Sequence, residues 1–242
     1  MQPAFWAAVL QIIGVNVILS GDNAVVIALA CRMLPPRQRL WGMILGAGVA
    51  VLLRVVFTLV VAQAMAYPYL KLIGGLLLLW VAVKLVVPED SEGEGKVEAA
   101  ENLWRAVRIV AIADIVMSLD NVIAIAASAE TAAMRVDVAH AAMIKATLII
   151  FGLATSVPLI IAGSALLMML LERFPILVWA GAGLLGWVAG DIMIKDDALL
   201  QIFPASVISA LHYWAAAAGA VFVVVVGYLL KMRRPAPEVS DV

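Results

Sequence analysis

Seven apolar stretches in this chain are each long enough to cross about 30 Å of hydrocarbon as a helix. They run near Ala4–Cys31, Leu40–Ala66, Leu70–Val87, Leu103–Ser128, Met143–Leu171, Pro175–Ile194 and Ser206–Leu230. The pattern predicts an all-α membrane protein of seven transmembrane helices. Their connections are short except for Pro88–Asn102, whose "PEDSEGEGKVEAAEN" is acidic, glycine-containing and free of aromatics. That composition reads as a solvated, flexible loop. The first residues, "MQPAFW", lack a basic stretch and run straight into a span too long for a signal-peptide core, so no cleaved leader is expected.

Two apolar runs contain the same polar insertion. Residues 19–24 read "LSGDNA" and residues 117–122 read "MSLDNV", placing Ser-x-Asp-Asn in the middle of the first and fourth spans. Asn16, Ser20 and Asn23 fall at i, i+4, i+7, as do Asp114, Ser118 and Asn121, so each helix carries a polar stripe. Asp22 and Asp120 sit beside the stripes, about 100° away on an unbroken helix. Gly21 could loosen the first copy, turn Asp22 toward its stripe and free carbonyl oxygens. Leu119 holds that place in the second copy, so a break is expected in the first span and not in the fourth, with a lopsided site as the result.

The insertion belongs to a longer repeat. A shift of 98 residues lays Asn16–Asn23 on Asp114–Asn121 with Ser, Asp and Asn in step. A shift of 107 lays Pro68 on Pro175, Gly74 on Gly181 and Trp80-Val-Ala on Trp187-Val-Ala. Spans one to three thus match spans four to six. Three spans per unit is an odd number, which makes the units inverted, an arrangement that places a transporter's substrate site near the midplane between the repeats. The expected organisation is a first repeat over 1–87, an acidic cytoplasmic loop over 88–102, a second repeat over 103–197, and a seventh helix with its tail over 198–242. Asp22 precedes Arg32 by ten residues and Asp120 precedes Glu130 by ten, about 15 Å of helix in each case. Both carboxylates are therefore expected near mid-membrane.

Composition agrees with the membrane reading: 65% of the 242 residues are hydrophobic and 14% charged, and the mean hydropathy is +1.09. A soluble domain would carry about 25% charged residues. A net charge of −1 leaves no basic face for nucleic acid, and the single Cys31 permits no internal disulfide. Lys and Arg set the orientation. With the N-terminus outside, eleven of them fall on the cytoplasmic side, including Arg32, Lys84, Arg105 and Lys231, against Lys71, Arg135, Lys145 and Lys195 outside. The expected location is a bacterial inner membrane, with the C-terminus cytoplasmic. Arg54 lies within the second span and needs a partner, as a structural ion pair or as part of a transport path.

Serine and asparagine commonly join membrane helices by hydrogen bonds, and Ser20 and Ser118 can be read that way. The aspartates are harder to explain as glue, because two carboxylates converging at mid-membrane repel unless a cation lies between them. Carboxylate, amide carbonyl, hydroxyl and backbone carbonyl are hard oxygen donors that suit Mn²⁺, Mg²⁺ or Ca²⁺. Cys31, His140 and His212 read as incidental to this site.

The run "ILSGDNAVVIALACRMLPPRQR", with its echo "DIVMSLDNVIAIAA", resembles the TerC family of integral membrane proteins and its YjbE-like branch, which is grouped with the LysE-like transporters. The resemblance covers the first six spans. It implies manganese export, and it marks Asp22, Asn23, Asp120 and Asn121 as metal-handling positions; Asp114, which stands where the first copy has Asn16, is a candidate further ligand outside that carry-over. No prosthetic group is implied: the divalent metal ion is the transported substrate, the bilayer lipid is the other partner, and the oligomeric state is left open. The 107-residue shift also brings Lys84 and Asp191 into corresponding places near the ends of their spans, either as boundary residues or as a gate or proton-linked carboxylate. Two other classes compete with the ion exporter. A LysE-like exporter of small organic solutes would need counter-charges and donors at midplane. An intramembrane aspartyl protease would need Gly-x-Gly-Asp, whereas residues 188–191 read Val-Ala-Gly-Asp. No His-Glu-x-x-His is present, which excludes a metalloprotease of that type.

Overall fold

The computed structural model describes residues 3–19, 21–61, 68–87 and 96–233, and within these its account of side chains omits a few more, Asp120 among them. Ser20, residues 88–95 and the tail after Arg233 lie outside the described residues, while 96–102, expected as the end of a flexible loop, form the first turns of a long helix instead. Within them every element is helical. The helices are α1 (Pro3–Leu19), α2 (Gly21–Cys31), α3 (Pro36–Val56), α4 (Leu70–Val86), α5 (Lys96–Val136), α6 (Ala141–Arg173), α7 (Ile176–Ile194), α8 (Asp197–Ile202) and α9 (Ala205–Arg233).

Four helical stretches are long and apolar enough to cross a membrane unaided: Pro36–Leu59, Ala141–Arg173, Ile176–Ile194 and Ser206–Arg233. Two bent pairs raise the number to six if each is one span. Phe5–Asn16 and Gly21–Cys31 meet at 54°, and Ala100–Ser118 and Asn121–Val136 meet at 62°. The second bend corrects the expectation of an unbroken fourth span. Leu119 is a good helix former, so its identity carried no warning, and the bend falls at the Ser-x-Asp-Asn motif in both copies. The expected third span, Leu70–Val87, corresponds to α4, whose 17 residues extend about 25 Å.

Local chemistry explains several boundaries. Pro35 is extended (ψ 145°) and Pro36 opens α3, where a missing N–H costs nothing. After Arg54, α3 widens into a π-helical turn over Phe57–Val61, and Thr58 Oγ donates to the Arg54 carbonyl at 2.7 Å. Inside α6, Pro158 removes one backbone donor, and the nearby Thr155 and Ser156 hydroxyls donate to carbonyls of the preceding turn.

The tightest packing joins α7 to α9, where Gly186 and Gly190 face Gly219 and Ala215 so closely that an added methyl would enter opposing backbone. Elsewhere α4 lies on α7, α3 on α5, and α1 and α2 on α6. One apolar core, which includes Ile12, Ile27, Leu78, Leu148 and Leu185, runs through these contacts.

Asp196 ties two elements together from the turn before α8. Its carboxylate accepts backbone N–H groups from Tyr69 at 2.9 Å, Lys71 at 2.9 Å, Leu72 at 3.1 Å and Ala198 at 2.8 Å. It therefore caps the N-termini of α4 and α8 at once. Tyr69 holds a left-handed conformation (φ 70°) to present its N–H.

Candidate functional site

The two polar stripes turn inward and meet. Asn16, Asn23, Asp114 and Ser118 are all buried in an otherwise apolar bundle, and Arg54 from α3 is buried with them. The side chain of Arg54 is 1% exposed and that of Asp114 3%, and Arg54 Nη2 lies 2.7 Å from Asp114 Oδ1. The rest of the guanidinium donates to Asn16 Oδ1 at 2.9 Å and to Ser118 Oγ at 3.2 Å. Ser118 Oγ in turn donates to Asp114 Oδ2 at 3.3 Å. The ion pair foreseen as one alternative for Arg54 is present, and it links α1, α3 and α5. A buried charge held this way is retained only because its partner and hydrogen bonds offset desolvation.

Asn23 leans on the same carboxylate. Its Nδ2 donates to Asp114 Oδ1 at 3.1 Å, which turns the amide carbonyl the other way. Asn23 Oδ1 is buried and has no hydrogen-bond partner among the described residues. An orphaned acceptor in an apolar surround is costly, and at a site it marks a place for a ligand. Asp22 stands beside it in the first turn of α2, half-buried, with Oδ1 accepting the Asn23 backbone N–H at 2.9 Å. An apolar crevice of about 280 Å³ lies between Gly21 and Ala24 on α2 and Leu159 and Gly163 on α6, and neither Asp22 nor Asn23 lines it.

Of the expected site residues, the structure brings together Asn16, Asn23, Asp114, Ser118 and Arg54, with Asp22 and Gly21 adjoining. Asn121 is half-buried on the far side of the α5 bend, next to Asp120, whose side chain is outside the described residues. Among the described residues no three His, Cys, Asp or Glu side chains converge as a metal cluster. The oxygens on offer come from carboxylate, amide and hydroxyl groups together.

Lys84 and Asp191 lie elsewhere. The Lys84 ammonium sits 4.5 Å from the centre of the Trp80 ring. Asp191 is paired with Lys195 at 2.5 Å, and His212 Nε2 from α9 is 3.7 Å away. His140 is paired with Asp137 at 2.9 Å. Both histidines thus meet aspartates, but not those of the repeated motif. Sequence reasoning missed Ser156, which accepts from Asn16 Nδ2 at 2.5 Å. The signal was present, a hydroxyl two residues before Pro158 in an apolar helix, but its partner is 140 positions away.

The chain is similar to known membrane proteins. The model of the integral membrane protein TerC family matches residues 1–235. An uncharacterized membrane protein, YjbE of Bacillus subtilis, is 37% identical over 199 residues, which cover 82% of this chain and 84% of that one. The inner membrane protein YoaE of Escherichia coli is 30% identical over 143 residues, 51% of this chain and 27% of its own. A second Bacillus subtilis membrane protein, YceF, is 26% identical over about half of each chain. No solved structure matches significantly. With its repeated Ser-x-Asp-Asn motif inside a helical bundle and a family match over nearly its whole length, the chain belongs to the integral membrane protein TerC family.

Proposed function

We propose that this chain is a membrane transporter that exports a hard divalent cation, Mn²⁺ before Ca²⁺ or Mg²⁺, from the cytoplasm by alternating access at a mid-membrane site. One observation carries the reading: a buried amide oxygen, Asn23 Oδ1, has no partner among the described residues and sits beside Asp22 at a helix bend. A carboxylate and an aimed carbonyl are what a cation without preference for sulfur takes in exchange for part of its water shell. The second motif, at the matching bend in α5, is proposed to supply Asp120 and Asn121 from the other side.

Packing supports an inverted repeat. Exchanging the halves sends α3 on α5 to α6 on α1 and α2, and leaves α4 on α7 unchanged, and all three contacts are present. On this reading α1 with α2 and α5 are broken spans, α4 is the third of seven, and α8 is a short surface helix. The repeats occupy 1–87 and 103–197, with 88–102 cytoplasmic and 198–242 carrying the seventh helix. The N-terminus lies outside, in a bacterial inner membrane. Export of small organic solutes is disfavoured, because the buried guanidinium that could meet a substrate carboxylate is engaged by Asp114, Asn16 and Ser118.

The test is the manganese content of cells lacking the protein and then regaining it, measured by elemental analysis after manganese loading. Higher retained manganese in its absence, reversed on return, is the expected outcome. Identical content in both would contradict the reading, and selective retention of another cation would reassign the cargo.

A further inference from the structure

Asp114 looks like the third carboxylate of the site, yet both its oxygens are in use. Oδ1 receives Arg54 Nη2 and Asn23 Nδ2, and Oδ2 receives Ser118 Oγ. A cation bound there would face the guanidinium across a single carboxylate, a like-charge approach in a poorly screened interior. The amide of Asn23 carries one donor end and one acceptor end. Holding the donor on Asp114 is what leaves the acceptor, Oδ1, pointing away and unpaired.

The other half of the repeat contains a matching link between two neutral side chains, although Asn16 also accepts from Arg54 through its Oδ1. The 98-residue shift lays Asp114 on Asn16, and Asn16 Nδ2 donates to Ser156 Oγ on α6. Ser156 stands 102 positions after Arg54, between the shifts of 98 and 107 that relate the flanking helices. The pairs Asp114 with Arg54, α5 to α3, and Asn16 with Ser156, α1 to α6, are therefore counterparts. What the halves share is a polar link between helices, and among the described residues the ionic form occurs in one of them.

We propose that the Arg54–Asp114 pair is a positioning device that turns the Asn23 carbonyl toward the cargo, and that Asp114 is not itself a ligand. This rests on the cation-transport reading and assigns the division of labour within its site. Arg54 neutralises Asp114, so the cargo is left to Asp22, Asn23 and the second motif. Partners that orient a ligand typically change metal affinity by about 10- to 100-fold when removed.

The test titrates Mn²⁺ into the purified full chain and follows the free-ion signal by electron paramagnetic resonance. Asp114→Asn alone strands the Arg54 charge beside the site and is expected to weaken binding by roughly tenfold or more. Two double variants remove the charge and keep a polar link. Arg54→Gln with Asp114→Asn keeps length, and Arg54→Ser with Asp114→Asn copies the counterpart pair. Either double variant is expected to regain affinity to within about fivefold of the natural chain, because the amide introduced at position 114 still offers Asn23 an acceptor oxygen. Doubles as weak as the single variant would make Asp114 a ligand and overturn the proposal. An unaffected single variant would also overturn it, as would failure of both doubles to accumulate as folded protein, since a replaceable link must tolerate neutral substitutes. If the natural chain itself binds no Mn²⁺, the cation reading fails first, which separates the two claims.

Discussion

At the scale of single residues, Asp196 shows how much one carboxylate can organise without touching the candidate site. Burial works against its charge, but N–H donors from Tyr69, Ala198, Leu72 and Lys71 outweigh that and hold its carboxyl below the usual carboxylate range. The sign of the linkage follows. The group stabilises the fold fully above its unfolded value of about 4, and the contribution fades as pH falls through the lower folded value. Asp196→Ala is expected to cost on the order of 2–4 kcal/mol by stranding several N–H groups. Its effect on thermal midpoint in detergent should be large at pH 7 and smaller at pH 3, and an equal effect at both would deny the ionised cap. Asp196 did not stand out in the sequence, because the helix it caps has only six residues and Tyr69 lies 127 positions away. Arg54 was legible in part. Its need for a partner was clear from its place in an apolar span, and the choice of Asp114 among several carboxylates was settled only by the packing of α3 on α5.

At the scale of elements, the two bends are alike although their sequences differ. Gly21 precedes Asp22, Leu119 precedes Asp120, and the angles are 54° and 62°. Glycine is therefore not the common cause, and what the two bends share is the Ser, Asp and Asn of the motif; Asp22 Oδ1 takes the Asn23 backbone N–H, while Asn23 Nδ2 and Ser118 Oγ are held by Asp114. A methyl at Gly21 would meet nothing within 4 Å. Gly21→Ala is accordingly expected to slow manganese efflux by less than about threefold at matched membrane level, since helical backbone accepts alanine readily. Gly190→Ala should behave differently, because its methyl would run into the Ala215 carbonyl on α9. A loss of about 1–3 kcal/mol is expected from forcing the two helices apart. Efflux checks the first statement and thermal midpoints of the two variants, side by side, the second, and a more damaging change at Gly21 in either measurement would restore glycine as the hinge. The apolar runs made most helices legible in advance. The short α8 was missed because six residues carry too little periodicity to show, and the bend in α5 because nothing in Leu119 announces it.

At the scale of the whole molecule, the account predicts a topology as well as a site. Lys84, Arg105 and Arg108 flank the acidic 88–102 segment and should retain it in the cytoplasm. Single cysteines introduced there, in a chain whose Cys31 has been replaced, should resist an impermeant thiol reagent on intact cells and react after permeabilisation. Ready labelling from outside would reverse both the orientation and the direction of transport. The repeat then sets the most direct test of the central claim, that Asp22 and Asp120 jointly hold one divalent cation. Asparagine preserves size and one carbonyl oxygen in each position but removes the charge that offsets the metal's lost water. Manganese efflux from loaded cells is to be measured for Asp22→Asn and Asp120→Asn at matched protein level in the membrane, beside Ser20→Ala and Ser118→Ala. The account predicts comparably severe losses, about tenfold or more, for the two aspartate variants, and milder ones for the serines. Normal efflux by either aspartate variant would contradict it.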